Sequence, residues 1–521
     1  MSINKENKSS ILGSVSVVAS STAFSRVLGL VREQVMAYYF GASMATDAFV
    51  TAFRIPNLLR DMFAEGALSQ AFIPIFKEKM VNGTEKEAFR IADIVFTALL
   101  LVVGIIVLLG IIAAPVLIYL FANGFVDTPE KFDLTVSLTR IMMFYLMLVS
   151  LSAIVMGILN SFGKFGIPAL SPALFNLGII VTVVGCYSLF DVPIYALAIG
   201  VLVGGVGQLA VQLPLLFKIG YRFKPTIDFL DESFKKMTKL LGPMIIGLSA
   251  SRINILINTL VASFLIEGSL SYLSYSYRLM HFPLGVFAVA LGTVALPKVS
   301  EMVAKKENEK LNRTFEQTLA LNLFIVIPSA MFLALMGNEI VRLIFAWGAF
   351  TENDVLQTSL ALRHYSYGLV AFSAVRVIVP FFYAFSDSKI PMRASLTAVG
   401  VNIALYYPFV QILNFAGLAA ATSVAGIANV LVLLFYIKTK GIHCHFGKLL
   451  LSCLRITVAS FFAFYIAKMI PLHFYTGGNR FFLRAESLFV PFLLAVLLFV
   501  IFAIILRITI LQEFIGRLRR K

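Results

Sequence analysis

Long apolar runs recur along the whole of this 521-residue chain, and they constrain its fold more than any other feature. Each run approaches the ~20 residues that a helix needs to cross the ~30 Å hydrocarbon core of a bilayer. Apolar residues make up 59% of the chain and charged residues 13%, whereas soluble proteins average about 45–50% and about 25%. We therefore predict an all-α polytopic membrane protein with fourteen transmembrane helices, centred near residues 24, 60, 105, 147, 178, 205, 253, 285, 327, 370, 402, 427, 459 and 495.

Basic residues concentrate in every second loop when the N-terminus is placed in the cytoplasm. Examples are the loops around 218–239 and 305–313, whereas the opposite loops are short or acidic, as at 127–133. Only the loop with Arg480 and Arg484 is an exception. Because cytoplasmic loops carry an excess of Lys and Arg, the net charge of +16 indicates orientation. It gives no evidence for a nucleic-acid partner, and both termini are predicted to be cytoplasmic.

An internal repeat divides the chain. Leu120–Gly124 recurs as Ile344–Gly348 and Arg140 as Arg363, and further pairs share the same offset of 223 or 224 residues. A constant offset over several spans indicates a repeated unit of six helices. Since six is even, both copies enter the membrane from the same side, which predicts two parallel, pseudo-symmetric six-helix lobes. Two C-terminal helices lie outside the repeat.

The predicted domains follow from that repeat. Residues 1–220 form an N-terminal lobe of spans one to six, and 241–440 form a C-terminal lobe of spans seven to twelve. Between them, 221–240 form a basic, amphipathic linker at the cytoplasmic interface. Residues 441–521 supply spans thirteen and fourteen and a basic tail.

Charged residues inside the predicted spans are the candidate functional groups. A charge at the centre of a membrane helix costs at least ~2.5–3.5 kcal/mol, so such residues usually pair or face a water-filled cavity. Five arginines are candidates for substrate binding: Arg26, Arg32, Arg60, Arg252 and Arg278. Five further residues are candidates for gating or ion pairing: Glu33, Asp47, Arg54, Asp61 and Glu65.

Two interpretations of these charges compete. Interhelical ion pairs would explain Arg54 with Asp47 or Asp61, and one of the first-span arginines with Glu33. The five candidate substrate-binding arginines, however, exceed the acids that remain. An uncompensated arginine cluster requires an anion, and the planar guanidinium fork suits phosphate. Arginines from both halves therefore predict a central site for a phosphorylated substrate.

Motifs for bond chemistry are missing from the sequence. Two glycine-bounded runs, 157–164 and 441–448, have the wrong spacing for a P-loop, and HExxH, GxSxG and CxxC do not occur. The segment His443–His445 contains a cysteine but has no partner ligands at metal-site spacing, so we interpret it as a basic loop. We expect no enzyme, no metal and no cofactor. Transport would then use a gradient, the membrane potential or substrate flux.

Three sequence blocks carry a resemblance to a known family. They are 25–33 (SRVLGLVRE), the block between 45 and 74 with IPNLLR and FAEGALSQAFIP, and the block between 277 and 293 with YRLMHFPLGV. Together they closely resemble the MurJ (MviN) family, the bacterial lipid II flippases of the MOP exporter superfamily. The resemblance implies a V-shaped pair of lobes, alternating access, a cationic central cavity and a lipid-tail groove formed by the last two helices.

By motif match, the resemblance implies functional arginines at Arg26, Arg32, Arg60 and Arg278. It also implies a functional aspartate at Asp47 and an acidic gate residue at Glu65. Two departures from the family are visible. Asp61 stands where many members have a basic residue, and spans seven and eleven have asparagines but no acids in their cores, which disfavours a sodium site.

The leading hypothesis is a flippase that moves lipid II, an undecaprenyl-diphosphate-linked sugar-peptide, outward across the bacterial cytoplasmic (inner) membrane. Expected partners are lipid II, membrane lipids and cell-wall synthesis proteins, with no nucleic acid. The alternative is an exporter of another polyprenyl-diphosphate-linked saccharide or of drugs. A membrane-embedded enzyme acting on polyprenyl phosphates is a third hypothesis, and the missing Asp-x-Asp and phosphatase motifs disfavour it.

Overall fold

The chain is helical in the computed structural model, which describes residues 3–61, 67–470, 480–508 and 510–512. Within these ranges it does not describe the side chains of 3–17, 19, 67, 69, 70, 242–253, 289, 290, 293, 294 and 446. No strand occurs in the described ranges. The contacts divide the chain into two compact units, Met1–Leu270 and Ser271–Lys521.

The first unit packs its helices mainly against near neighbours in the chain. Its described helices are α1 (Ile3–Phe40), α2 (Met44–Arg60), α3 (Ala67–Asn82), α4 (Glu85–Ile112), α5 (Ala114–Phe121), α6 (Pro129–Ser161), α7 (Gly166–Cys186), α8 (Tyr195–Ala210), α9 (Leu213–Lys218) and α10 (Glu232–Ser263). Helix α6 contacts α2, α4 and α8, and α7 contacts α1 and α8. The long helix α6 therefore forms the centre of this unit.

The second unit begins within a helix that is interrupted by a π-helical turn at Leu284–Ala288. Its described helices are α11 (Ser269–Pro283), α12 (Val289–Ala304), α13 (Asn308–Leu335), α14 (Gly337–Phe345), α15 (Glu352–Ala384), α16 (Lys389–Leu413), α17 (Phe415–Ile437), α18 (Phe446–Met469) and α19 (Arg480–Ile505). Helix α15 contacts α12, α13 and α17, while α18 and α19 contact α13 and α14.

Ten helical segments of the described chain are long and apolar enough to cross a membrane. They correspond to predicted spans three to six and nine to fourteen. The other four predicted spans are also helical, at α1, at α2 with α3, at α10, and at α11 with α12, and none of them is among these ten segments. The prediction of an all-α polytopic membrane protein is confirmed, and the count of fourteen spans stays a prediction.

Side-chain caps start several of these helices. Thr84 accepts a hydrogen bond from the Glu87 N–H at the start of α4. At α15, Thr351 and Asp354 form a reciprocal capping box. Each cap satisfies backbone donors that the first turn of a helix leaves without partners. The local sequence therefore fixes where these helices begin.

The helix boundaries follow the repeat that the sequence shows. Helices α4 and α13 both have 28 residues, α6 and α15 both have 33, and each pair is displaced by 223 residues. The paired arginines also match: the Nε of Arg140 donates to the Ile111 carbonyl at 3.3 Å, and that of Arg363 to the Ala334 carbonyl at 3.4 Å. Each arginine thus binds the C-terminal end of the corresponding helix.

Packing divides the chain at a different point from the predicted domain boundaries of 220 and 240. The break falls after Leu270, because α10 contacts α3, α4 and α5 of the first unit. The predicted linker, 221–240, has two parts. Its first part, up to residue 231, is extended or turn-like, and α10 begins at Glu232 under a cap from Asp231. The predicted boundaries follow the repeat, which arose by duplication. The packed units are instead defined by contacts between helices, so the two boundaries need not coincide.

Hydrogen bonds hold the extended part of the linker against α4. Asp93 accepts from the Tyr221 hydroxyl at 2.8 Å and from the Lys224 N–H at 3.0 Å. One turn further along α4, the Thr97 hydroxyl accepts from the Thr226 N–H at 3.0 Å. Burial and the neighbouring Asp93 carboxylate raise the pKa of Tyr221, so its hydroxyl stays protonated and remains a donor.

Replacing Gly204 with alanine is expected to destabilise the packing of α8 on α7. The added Cβ would collide with the backbone carbonyl of Phe175, and overpacking of this kind costs about 1–3 kcal/mol. Gly207→Ala is the matched control, because the nearest atom to its Cβ is 3.8 Å away on Leu174. Thermal unfolding in detergent should show a lower midpoint for G204A only. Equal midpoints for the two variants would contradict the close approach.

Candidate functional site

Arg32 on α1 is held by three neighbours. One guanidinium nitrogen donates to Glu33 Oε1 at 2.6 Å and another to Asn176 Oδ1 at 3.0 Å. The Phe175 ring centroid lies 5.9 Å from the guanidinium carbon. The side chain of Arg32 is 13% exposed and that of Glu33 is 3% exposed. The predicted pairing of Glu33 with a first-span arginine is therefore present, and the partner is Arg32.

Asn176 on α7 also orients the helix turn that precedes Arg32. Its Nδ2 donates to the backbone carbonyls of Ser25 at 3.2 Å and Pro172 at 3.3 Å. Arg26, next to Ser25, has an exposed side chain. Within the described residues, no hydrogen bond or ion pair to this side chain is present. The two predicted arginines of α1 thus differ, since one is fixed by protein groups and the other is open to a ligand.

The charged side chains of α2 have partners both next to them in the chain and on another helix. An Arg60 guanidinium nitrogen lies 3.0 Å from Asp61 Oδ1, and both side chains are partly buried. Arg54 donates a hydrogen bond to the hydroxyl of Thr259 on α10. The sequence interpretation paired Arg54 with Asp47 or Asp61, and it could not identify Thr259, which lies 205 residues away. Ion pairing therefore accounts for part of the charge on α2.

Asp47, near the start of α2, has a partner that sequence reasoning missed. Lys131 on α6 donates to Asp47 Oδ2 at 3.0 Å, and the Gly268 N–H donates to the same oxygen at 2.8 Å. The Lys131 ammonium also lies 4.2 Å from the centroid of the Phe125 ring. Asp47 is 1% exposed and Lys131 8% exposed. Lys131 lies in the stretch 127–133, which is predominantly acidic and which the charge pattern predicts to be an outer loop.

The second unit has a hydrogen bond between the corresponding helices in place of this ion pair. Tyr272 on α11 donates its hydroxyl proton to Asp354 Oδ1 on α15 at 3.0 Å. Asp354 stands 223 residues after Lys131, so the repeat places a carboxylate where the first unit has an ammonium group. The same helix junction is closed by a salt bridge in one unit and by a hydroxyl–carboxylate bond in the other. The two copies have therefore diverged in charge.

A cationic cluster lies in the second unit. Arg278 on α11 and Arg376 on α15 are both exposed and both lie within electrostatic range of His281. The His281 ring packs edge-on against Tyr277, with centroids 4.1 Å apart, and its Nε2 has no hydrogen-bond partner within the described ranges. Sequence reasoning missed Arg376. The available signal was a second arginine, besides Arg363, inside this largely apolar 33-residue helix.

Two predicted site residues lie outside the described part. Glu65 falls between α2 and α3, in a gap of the described ranges. Arg252 lies on α10, where the structure describes the backbone but not the side chain. Within the described residues, no three His, Cys, Asp or Glu side chains converge as a metal site requires.

Comparison with known families identifies the chain. The family model described as lipid II flippase MurJ matches residues 36–509. The chain belongs to the lipid II flippase MurJ family. A probable lipid II flippase MurJ of Bdellovibrio bacteriovorus is 32% identical, covering 99% of this chain and 98% of the relative. A lipid II flippase MurJ of Burkholderia cenocepacia is 34% identical over 82% of this chain and 83% of its own length.

Solved structures agree with this membership. A lipid II flippase MurJ in an inward closed conformation matches with a TM-score of 0.78 and 28% identity, covering 94% of this chain and 98% of that chain. An inward-facing MATE family multidrug resistance transporter of the MOP superfamily matches with a TM-score of 0.68 and 15% identity, covering 82% and 98%. The second likeness concerns the fold alone.

Breaking the buried Asp47–Lys131 pair is expected to destabilise the protein strongly. Removal of one partner leaves an uncompensated buried charge, which costs about 3–5 kcal/mol. Asp47→Asn and Lys131→Met should each lower the thermal unfolding midpoint in detergent, and the double variant should lose less than the sum of the two. Glu301→Gln is the control, since its pair with Lys305 is exposed. Additive losses would show that the two groups do not interact.

Proposed function

We propose that this chain transports lipid II from the inner to the outer leaflet of the bacterial cytoplasmic membrane by alternating access. Membership of the lipid II flippase MurJ family is the observation that carries the proposal. The ten apolar helices support a multi-pass membrane protein. In the proposed topology the chain has fourteen spans with both termini in the cytoplasm, as the distribution of basic loops predicts.

The diphosphate of the substrate is the group that the arginines would bind. A guanidinium presents two parallel N–H donors to phosphate oxygens, and such charge-assisted bonds are roughly twice as strong as neutral ones. In the first unit, Arg26 is open to a ligand, while Arg32 is held in place by Glu33 and Asn176. In the second unit, Arg278 and Arg376 are the cations proposed to bind the diphosphate, and both are exposed. Arg60 and Arg252 complete the proposed set.

Acidic and paired groups would set the conformational equilibrium. Asp47, Arg54 and Asp61 all form bonds to other helices or to adjacent arginines. Alternating access requires some bonds of this kind to break and re-form, and Glu33 and Glu65 would take part in the same exchange. The buried contacts of Asp47 make it the strongest candidate for a gating residue in the described part.

The membrane potential would supply part of the driving force. The sequence contains no ATP-binding motif, and moving a negative charge out of a negative-inside cell is favoured by ~2.3 kcal/mol per charge per 100 mV. The two C-terminal helices would receive the lipid tail. In the second unit, α18 and α19 contact α13 and α14 and keep many apolar side chains exposed, as a tail groove would require.

Alanine at Arg26, Arg32 or Arg278 is expected to abolish growth of a flippase-depleted strain that depends on this chain. Each variant loses a diphosphate contact, and hydrogen bonds to charged groups contribute about 1.5–3 kcal/mol each. Colony formation at matched membrane expression is the measurement. Full growth of all three variants would exclude these arginines as the binding site.

Replacing Arg376 with glutamine is expected to reduce lipid II translocation about tenfold or more, by loss of one charged contact. Arg376→Lys should retain part of the activity because it keeps the charge but loses the bidentate fork. Arg393→Gln is the matched control, since Arg393 is exposed near the start of α16 and lies outside the cluster. Translocation of labelled lipid II in vesicles is the measurement. Equal rates for R376Q and R393Q would exclude Arg376 from the site.

A further inference from the structure

A cavity of about 640 Å³ opens on the second unit, and Arg278, His281 and Arg376 are not among its lining residues. It is lined by side chains from the first half of α13 and the first turns of α18, together with Leu291 of α12 and Ile510 after α19. By the positive-inside pattern, the starts of α13 and α18 lie at the cytoplasmic face of the membrane. The cavity therefore lies at the predicted level of the inner-leaflet headgroups.

Two cations in this cavity have no polar partner within the described residues. Arg313 on α13 and Lys448 on α18 both line it with exposed side chains, and no hydrogen bond or ion pair to either side chain is present in the described ranges. A pair of unpaired cations facing one cavity attracts an anion. Arg313 and Lys448 outnumber the one acidic lining residue, Glu316, so the lining carries an excess of positive charge.

The carboxylate of Glu316, the acidic residue in the lining, already has hydrogen-bonding partners within the protein. Its Oε1 accepts from the His445 N–H at 2.6 Å and lies 2.9 Å from His445 Nδ1. The same carboxylate, together with burial, raises the pKa of the neighbouring Cys444 thiol. These contacts give the short His443–His445 segment a structural role, whereas the proposed transport assigns it none. They also leave Arg313 and Lys448 available to an external ligand.

Apolar side chains complete the lining. Leu321, with 38% of its surface exposed, lies along α13 beyond the basic end, and Leu291, Leu449 and Ile510 join it in the cavity wall. A small soluble anion would use only the cations. A ligand that has both a phosphate and hydrocarbon chains would use the whole cavity.

We propose that this cavity binds an anionic glycerophospholipid of the cytoplasmic leaflet, with its phosphate on Arg313 and Lys448 and its acyl chains against Leu321 and Ile510. Basic pockets between membrane helices at the cytoplasmic side are suited to anionic headgroups. The proposal goes beyond lipid II transport and depends on the predicted orientation of the chain, not on the proposed substrate.

Native mass spectrometry of the full-length protein in detergent is the test, with phosphatidylglycerol and phosphatidylcholine as probes. Two cationic contacts should favour phosphatidylglycerol by about tenfold or more. The double variant R313Q/K448Q should lose this preference. The control K305Q/K310Q removes the same charge from exposed residues already paired with Glu301 and Glu307, so it should keep the preference. Retention of the preference in R313Q/K448Q would overturn the proposal.

Labelling of Cys444 provides a second measurement, since Cys444 lines the cavity. Burial and the Glu316 carboxylate raise the pKa of Cys444 to about 11, so the reaction with a maleimide is best followed near pH 9, in a C186S/C453S background. Phosphatidylglycerol should slow labelling severalfold, while phosphatidylcholine should not.

Two competitors separate the possible sources of phosphate. Protection by glycerol phosphate alone would indicate a soluble-anion site and contradict the proposal. Protection by lipid II but not by phosphatidylglycerol would assign the cavity to the transported substrate and would also contradict it. Loss of lipid II translocation in the wild-type protein would refute the proposed function and would leave the phospholipid result unaffected.

Discussion

The free-energy cost of placing charge in hydrocarbon is the constraint on which the rest of this structure depends. Each charged residue in a span must pair, face water or bind a ligand. The described contacts divide the charges accordingly. Asp47 with Lys131, and Glu33 with Arg32, satisfy one another within the first unit, whereas Arg26 and Arg376 remain exposed to a ligand. The transported anion is the partner that the proposed function assigns to those exposed arginines.

The internal repeat explains the architecture but not the distribution of charge. Helix lengths and the Arg140 and Arg363 contacts are preserved between the two copies. Where the first copy has the ion pair Asp47–Lys131, the second has a hydrogen bond from Tyr272 to Asp354, and Arg376 stands where the first copy has Ala153. Backbone geometry is constrained by packing along the entire helix, while a polar contact needs only two residues. Duplication has therefore retained the scaffold and allowed each copy its own electrostatics.

Much of the fold could be predicted from the sequence, because long apolar runs between polar loops indicate membrane-spanning helices directly. The pairing of Glu33 with a first-span arginine was also predictable, but the sequence left Arg26 and Arg32 open as its partner. The partners Lys131, Asn176 and Thr259 were not predictable, because each lies on a helix distant in the chain. The packing boundary after Leu270 could not be predicted for the same reason. The position of α10 in the repeat does not indicate that this helix contacts α3, α4 and α5 of the first unit.

Translocation of labelled lipid II in vesicles containing the purified wild-type chain tests the central claim most directly. Outward movement should exceed that in protein-free vesicles, and a negative-inside potential should accelerate it, since the field favours export of an anion. A rate equal to that of protein-free vesicles, both with and without the potential, would contradict the account.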